Sequence, residues 1–187
     1  MIEKILEYDR SLFIYLNQLS GESFDTFWVL VTQITTWIPL FLIFIFLVFR
    51  LYPKKEAVFI TITVFVALGF TLLFTEAVKE FTSRLRPNNE PALKTLIRVL
   101  QTPSDYSFFS GHASNSFSVT MVLFLFLKKK TKYAVLLFIW PVLFSLSRIF
   151  VGVHYPIDIL TGTIIGTLIG LAFYRLHDKY YNSYKKN

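Results

Sequence analysis

Residues 27–49 read FWVLVTQITTWIPLFLIFIFLVF, a run from Phe27 to Phe49 with no charged side chain. A helix of that length covers roughly 30 Å or more, enough for the hydrocarbon layer of a bilayer. Pro39 is a candidate kink within it. The run decides the fold class, because it asks for lipid rather than water around the chain.

Four more blocks lie C-terminal to it. They run from Ala57 to Val78, from Ser110 to Leu127, from Tyr133 to Ile149 with Pro141 inside, and from Pro156 to Tyr174. The last three have uncharged cores of about 15 to 16 residues, short against the usual ~20, so they cross only if their charged ends reach into the interface or a polar recess. On the N-terminal side, Met1 to Leu19 carries Glu3, Lys4, Glu7, Asp9 and Arg10, which breaks up the apolar core a signal peptide needs. Ile2, Ile5, Leu6, Leu12, Phe13 and Leu16 suit a helical period there, and an amphipathic helix on the membrane surface is expected. A short soluble cap is the alternative.

The expected fold is an all-α membrane protein in a single domain spanning 1–187. Five transmembrane helices at 27–49, 57–78, 110–127, 133–149 and 156–174 follow an interfacial helix at 1–19, with 79–109 as an outward loop. Composition agrees with a membrane setting: 54% of the 187 residues are hydrophobic and 21 are Phe. No internal repeat or low-complexity tract interrupts this pattern. There is no cysteine, so disulfides and thiolate zinc sites are excluded and the redox compartment cannot be read.

The formal charge is +7. Its carriers sit between the hydrophobic blocks, which points to membrane topology rather than nucleic acid. Arg50, Lys54 and Lys55 form one cluster, Lys128, Lys129, Lys130 and Lys132 a second, and Arg175, Lys179, Lys185 and Lys186 a third. Five crossings put all three on one side, and the positive-inside rule makes that side the cytoplasm. The C-terminus is then cytoplasmic, and the loops 79–109 and 150–155 face outward. In a bacterium the membrane would be the inner one and the outward side the periplasm or exterior.

The outward ends of the blocks carry the polar residues with chemistry. Block two ends in Lys79 and runs on to Arg86-Pro87, block three opens on Phe109-Ser110-Gly111-His112, and Ser147-Arg148, His154 and Asp158 flank the junction of blocks four and five. A phosphate monoester is a dianion, which Lys79, Arg86 and Arg148 would neutralise, arginine by two-point contact. Ser110-Gly111-His112 opens a helix whose free amides and dipole suit an anion, and Gly111 permits close approach. A nucleophilic histidine needs its second ring nitrogen held by a partner. Asp158, four residues after His154 and in the first turn set by Pro156, can reach back to it. His112 is left to protonate the leaving oxygen.

Three spaced motifs here resemble those of the type-2 phosphatidic acid phosphatase superfamily, the lipid phosphate phosphatases. Lys79 with Arg86-Pro87 matches the first fully. Ser147-Arg148, His154 and Asp158 match the third fully. Ser110-Gly111-His112 matches the second except that Phe109 replaces its usual proline, which touches the rigidity of the turn and substrate fit. The resemblance covers 57–174. It implies a helical bundle without metal or other cofactor. His154 would form a phosphohistidine, Asp158 would hold it, and His112 would act as acid. Lys79, Arg86, Ser110, Gly111 and Arg148 would bind phosphoryl oxygens.

The implied activity is hydrolysis of a membrane lipid phosphate or diphosphate in the cell envelope. Undecaprenyl diphosphate is the first expectation and a lipid A phosphate the second. Phosphatidylglycerol phosphate, phosphatidic acid and lipid phosphotransfer follow. An anion transporter is the non-enzyme alternative, although transporters place charges nearer the midplane. Soluble haloperoxidases of the same superfamily do not fit the hydrophobic blocks. The oligomeric state is open.

Single residues also have plain structural readings. Lys79 can be a snorkelling lysine paired with Glu76 or Glu80, Arg86 a loop arginine, Ser110 a helix cap, and Asp158 a dipole partner. His112 and His154 can each be interfacial. His177 is expected to be solvated, as are Arg84 and Arg98, with an anionic head group as their alternative partner. Asn115 and Ser116 either line the site or join helices.

Overall fold

The computed structural model describes residues 2–186. Met1, Asn187, and the side chains of Ile2 and of residues 182–186, Lys185 and Lys186 among them, lie outside the described residues. Among the described residues seven α-helices follow one another: α1 (Ile2–Leu19), α2 (Asp25–Val31), α3 (Ile38–Leu51), α4 (Lys54–Thr82), α5 (Gly111–Leu127), α6 (Ile139–Phe150) and α7 (Pro156–Lys186). Among the described residues there is no strand.

Among the described residues, four helical segments are long and apolar enough to cross a membrane: Ile34–Leu51, the one beginning at Lys54, Lys132–Phe150 and Pro156–Tyr181. Gly111–Leu127 is a shorter apolar helix of 17 residues. The protein is therefore an all-helical integral membrane protein. Large apolar side chains such as Leu42, Phe46, Phe65, Leu73, Leu160 and Leu168 point outward from α3, α4 and α7, where lipid replaces water.

The run 27–49 is not one helix. α2 ends at Val31, a 3-10 turn covers Ile34–Trp37, and only then does α3 begin. Thr36 Oγ1 donates to Leu30 O at 2.7 Å and Trp37 Nε1 to Val31 O at 2.9 Å, so side chains take up the carbonyls left open at the break. Pro39 stands in the first turn of α3, where its missing N–H costs nothing, and makes no kink. Likewise 132–138 is a 3-10 segment ahead of α6, which puts Pro141 near the start of that helix.

α5 sits centrally, against α4, α6 and α7. Its approach to α7 is close because Gly166 faces the Ser114 carbonyl, with which any Cβ there would overlap. Hydroxyls join α5 to α4: Thr75 with Ser114 and Thr71 with Ser118, each at 3.0 Å. One apolar core, around Ile60, Phe126, Leu127 and Trp140, fills one end of the bundle. The basic clusters gather there: the Lys130 ammonium lies 4.9 Å from the Tyr52 ring, and Lys129 Nζ 3.9 Å from Asp178. His177 is not a freely solvated residue. It bonds Thr63 Oγ1 at 2.7 Å and packs on Phe126 and Tyr181.

At the other end, α1 packs on α6 and α7 through Asp9, Phe13 and Asn17, one face at i, i+4 and i+8. Ile5 and Leu6 are exposed instead. Asn17 accepts from Arg98 N at 2.8 Å and donates to Ile149 O at 2.9 Å, tying α1 to the long loop and to α6. Arg98, expected to be solvated, bonds the Ser20 carbonyl and pairs with Asp25.

Candidate active site

Ser83 ends α4 in a left-handed conformation, its N–H returning to Lys79 O at 2.9 Å. The chain that follows is extended, so Arg84 and Arg86 turn inward while Leu85 points out. Lys79, in the last turn of α4, is buried, with Nζ 2.6 Å from Asp105 Oδ2 and 3.0 Å from Glu76. Arg86 makes four contacts. Nε donates to Asp105 O at 2.9 Å and Nη2 to Asp105 Oδ2 at 2.8 Å. Nη1 donates to Val153 O at 3.0 Å and reaches His154 Nε2 at 2.8 Å.

His154 is carried by a turn that only glycine permits. Gly152 has φ +84, and a Cβ there would overlap the Arg98 carbonyl. The Val153 and His154 amides both donate to Arg148 O, at 3.0 and 3.3 Å. The buried imidazole points Nδ1 at Asp158 Oδ2, 3.3 Å away, with Ser107 Oγ also at 3.3 Å. Burial, and then the charges of Arg86 and Arg148, hold its pKa well below the ordinary histidine value. A guanidinium can only donate, so the contact with Arg86 makes Nε2 the acceptor and leaves the ring proton on Nδ1, facing the carboxylate.

Asp158, in the first turn of α7, is fully buried. Its Oδ2 accepts from Ser107 Oγ at 2.5 Å and from Tyr155 N at 3.0 Å, and its Oδ1 from Arg84 Nη1 at 2.6 Å. Arg84 also donates to Asp9 Oδ2 at 2.7 Å and lies over the Tyr155 ring. It is thus part of the site's support and not a solvated loop residue.

The start of α5 joins the same cluster. Ser110 N donates to Asp158 O at 3.1 Å, and Ser110 Oγ caps the helix by accepting from Ala113 N at 3.4 Å. Both of these groups are occupied. Gly111 faces Lys79, whose Nζ lies 3.9 Å from the position a Cβ would take. His112 stacks on Phe144, ring centres 4.4 Å apart, with Nε2 3.3 Å from Thr32 O. Arg148 donates to Thr32 Oγ1 at 2.5 Å and to Gln101 Oε1 at 2.8 Å. Its Nε is buried without a partner among the described residues. Thr32, from the break in the first apolar run, thereby links His112 to Arg148.

All eight candidate residues converge on one end of the bundle. Phe109, in place of a proline, is buried and packs near Phe74, ring centres 6.2 Å apart. Sequence reasoning missed Asp105, Ser107, Asp9, Thr32 and Gln101. Their one signal was that Asp105, Ser107 and Gln101 lie in or beside the longest polar loop.

The family model described as "PAP2 superfamily" matches residues 60–181. The chain belongs to this superfamily. It is an enzyme of the PAP2 lipid phosphatases, which hydrolyse phosphate monoesters or diphosphates.

Among relatives, it is 31% identical over 181 residues to a lipid A 4'-phosphatase of Porphyromonas gingivalis, covering 94% of this chain and 75% of that protein. A shorter match, 34% identical, is to an undecaprenyl-diphosphatase of Sulfolobus acidocaldarius, over 59% of this chain and 52% of the other. Two crystal structures share the fold. The PAP2-type phosphatidylglycerolphosphate phosphatase of Bacillus subtilis gives a TM-score of 0.75 at 21% identity, covering 95% of this chain and 88% of that one. Aquifex aeolicus LpxE gives 0.69 at 25% identity, covering 88% and 93%.

Proposed function

We propose that this PAP2 phosphatase hydrolyses a lipid phosphate monoester, the 4'-phosphate of lipid A, through a phosphohistidine on His154. The observation that carries the reaction is His154 held between two partners, Asp158 at Nδ1 and Arg86 at Nε2. The choice of lipid rests on the relatives. Likeness to a lipid A 4'-phosphatase runs through 94% of the chain, whereas likeness to an undecaprenyl-diphosphatase stops at 59%.

In this reading Lys79 and Arg86 bind phosphoryl oxygens, joined by Arg148, whose buried Nε lacks an acceptor. His154 Nε2 attacks phosphorus in line with the lipid oxygen. The P–O bond breaks as the P–N bond forms, and His112 gives the leaving oxygen a proton. Water then attacks the phosphohistidine, returns a proton to His112, and frees inorganic phosphate and His154. Asp158 keeps the imidazole aligned and balances its charge. An apolar groove of about 270 Å³ between α3, α4, α5 and α6, lined by Phe41, Phe65, Asn115 and Phe144, the ring on which His112 stacks, would take an acyl chain.

For topology, α5 is read as a fifth crossing, its short apolar length completed by the polar cluster at its start. α1 lies along the interface, the basic end faces the cytoplasm, and the site faces outward.

The test is phosphate release by purified protein from lipid A, undecaprenyl diphosphate, phosphatidylglycerol phosphate and phosphatidic acid, with His154→Ala as control. Lipid A should be the preferred substrate. Faster turnover of undecaprenyl diphosphate would reject the lipid, and near-normal release by His154→Ala would reject the nucleophile. Labelled phosphate appearing on an alcohol instead of in solution would make the enzyme a phosphotransferase.

A further inference from the structure

The two cations assigned to the phosphate already hold an anion. One oxygen, Asp105 Oδ2, receives Lys79 Nζ at 2.6 Å and Arg86 Nη2 at 2.8 Å, while Arg86 Nη1 lies 2.8 Å from the nucleophilic His154 Nε2. A phosphoryl oxygen bound beside His154 needs those same donors. Lys79 and Arg86 are almost wholly enclosed, with side chains 7% and 4% exposed, but the Asp105 side chain is 41% exposed. The carboxylate therefore enters the cradle from its open side. Its segment, 101–110, has no regular helix, so Asp105 can withdraw without breaking a helical hydrogen-bond ladder.

We propose that Asp105 is a specificity-determining residue, a resident counter-anion that the substrate phosphate must displace and that competes with inorganic phosphate for the emptied cradle. The inference rests on the reading of Lys79 and Arg86 as phosphate ligands. Its physical content is competition between charges. Burial opposes ionisation of Asp105, but the hydrogen bonds from Arg86 and Lys79 outweigh it and keep the group well below the usual carboxylate range. A terminal phosphate monoester brings two charges and three oxygens and displaces one carboxylate. A phosphodiester head group brings one charge and gains little from the exchange. In a bilayer, where phosphodiesters are everywhere, Asp105 would keep them from occupying the cradle. After hydrolysis the tethered carboxylate is at high effective concentration and favours release of the product.

The experiment measures inhibition of purified enzyme by inorganic phosphate at pH 8 and by phosphatidylglycerol vesicles. The proteins are wild type, Asp105→Asn, Asp105→Ser and Lys79→Gln, each first checked for folding by thermal melting in detergent. Both Asp105 variants should bind phosphate more tightly, by about fivefold, the scale of one partly exposed ion pair. They should also gain inhibition by phosphatidylglycerol. A purely structural Asp105, needed to hold Lys79 and Arg86 in place, predicts the opposite sign. Phosphate affinity that is unchanged or weaker in a folded Asp105 variant, with affinity lost in Lys79→Gln, would overturn the inference alone. Unchanged phosphate affinity in Lys79→Gln would overturn the cradle and the inference with it.

Discussion

Arg84 lies 2.6 Å from Asp158, the carboxylate behind the candidate nucleophile. Its second amino group reaches Asp9 at 2.7 Å, and Asp9 Oδ1 accepts from Ile157 N at 2.9 Å. The first helix thus grips the start of the last one through Arg84. Losing Arg84 leaves two buried carboxylates with backbone and hydroxyl donors but without the cation that pairs with both. Arg84→Ala should lower kcat by about tenfold, on the order of 1.4 kcal/mol of transition-state stabilisation, with KM little changed. Steady-state kinetics on a folded variant checks it. An Asp9→Asn variant should show a smaller loss in the same direction.

His112 and His154 are expected to fail in different ways. If His112 only protonates the leaving oxygen, its loss matters less when that oxygen needs no proton. His112→Ala should cost about 10³-fold on a lipid monoester and far less on an activated aryl phosphate. His154→Ala should abolish both. Equal losses on the two substrates by His112→Ala would remove it from the acid role.

The pH profile follows from the environment of His154. Burial and the charges of Arg86 and Arg148 lower its pKa, so the neutral, nucleophilic form survives to a pH below the ordinary value of about 6.5. The acidic limb of kcat/KM should lie below that value, because protonation removes the attacking lone pair. Replacing Arg86 by Gln removes the largest charge acting on His154 and should move the limb toward neutrality in whatever activity remains. A limb that stayed in place would assign it to another group.

Close packing of α5 on α7 positions the Ser110-Gly111-His112 turn. Gly166→Leu would push a side chain into the Ser114 carbonyl, so the helices must separate. A stability loss of about 1–3 kcal/mol is expected, with lower activity, both visible by thermal melting and kinetics in detergent.

The proposed topology, five crossings with an interfacial α1, would put the site and the C-terminus on opposite sides of the membrane. A membrane-impermeant thiol reagent should label Ser104→Cys in intact cells, and Ser183→Cys only after lysis. The reverse pattern would invert the orientation, and labelling of both in intact cells would remove one crossing.

Much of this molecule could be read locally. Hydropathy is a property of short windows, so 57–78 and 156–174 marked apolar helices without any knowledge of their neighbours. His154 and Asp158 are four residues apart at a helix start, so their contact is nearly a local one. The three spaced motifs pointed to the PAP2 superfamily in the same way. Windows average over breaks, however, which is why 27–49 read as one helix. The break shows only in the fold, where it places Thr32 between His112 and Arg148.

The sequence by itself determined that this is an all-helical membrane phosphatase, because periodicity, charge placement and motif spacing are all written along the chain. Tertiary structure alone decided what holds each charged group. Arg84 meets Asp9 from 75 positions away and Asp158 from 74, and Asp105 sits between Lys79 and Arg86. A buried charge needs a partner wherever the folded chain can supply one, and local spacing does not record which distant segment that will be. His154 and His112, unequal by their sequence neighbours, are unequal in the fold as well. One is locked between a carboxylate and an arginine, and the other is stacked on Phe144 beside an apolar groove.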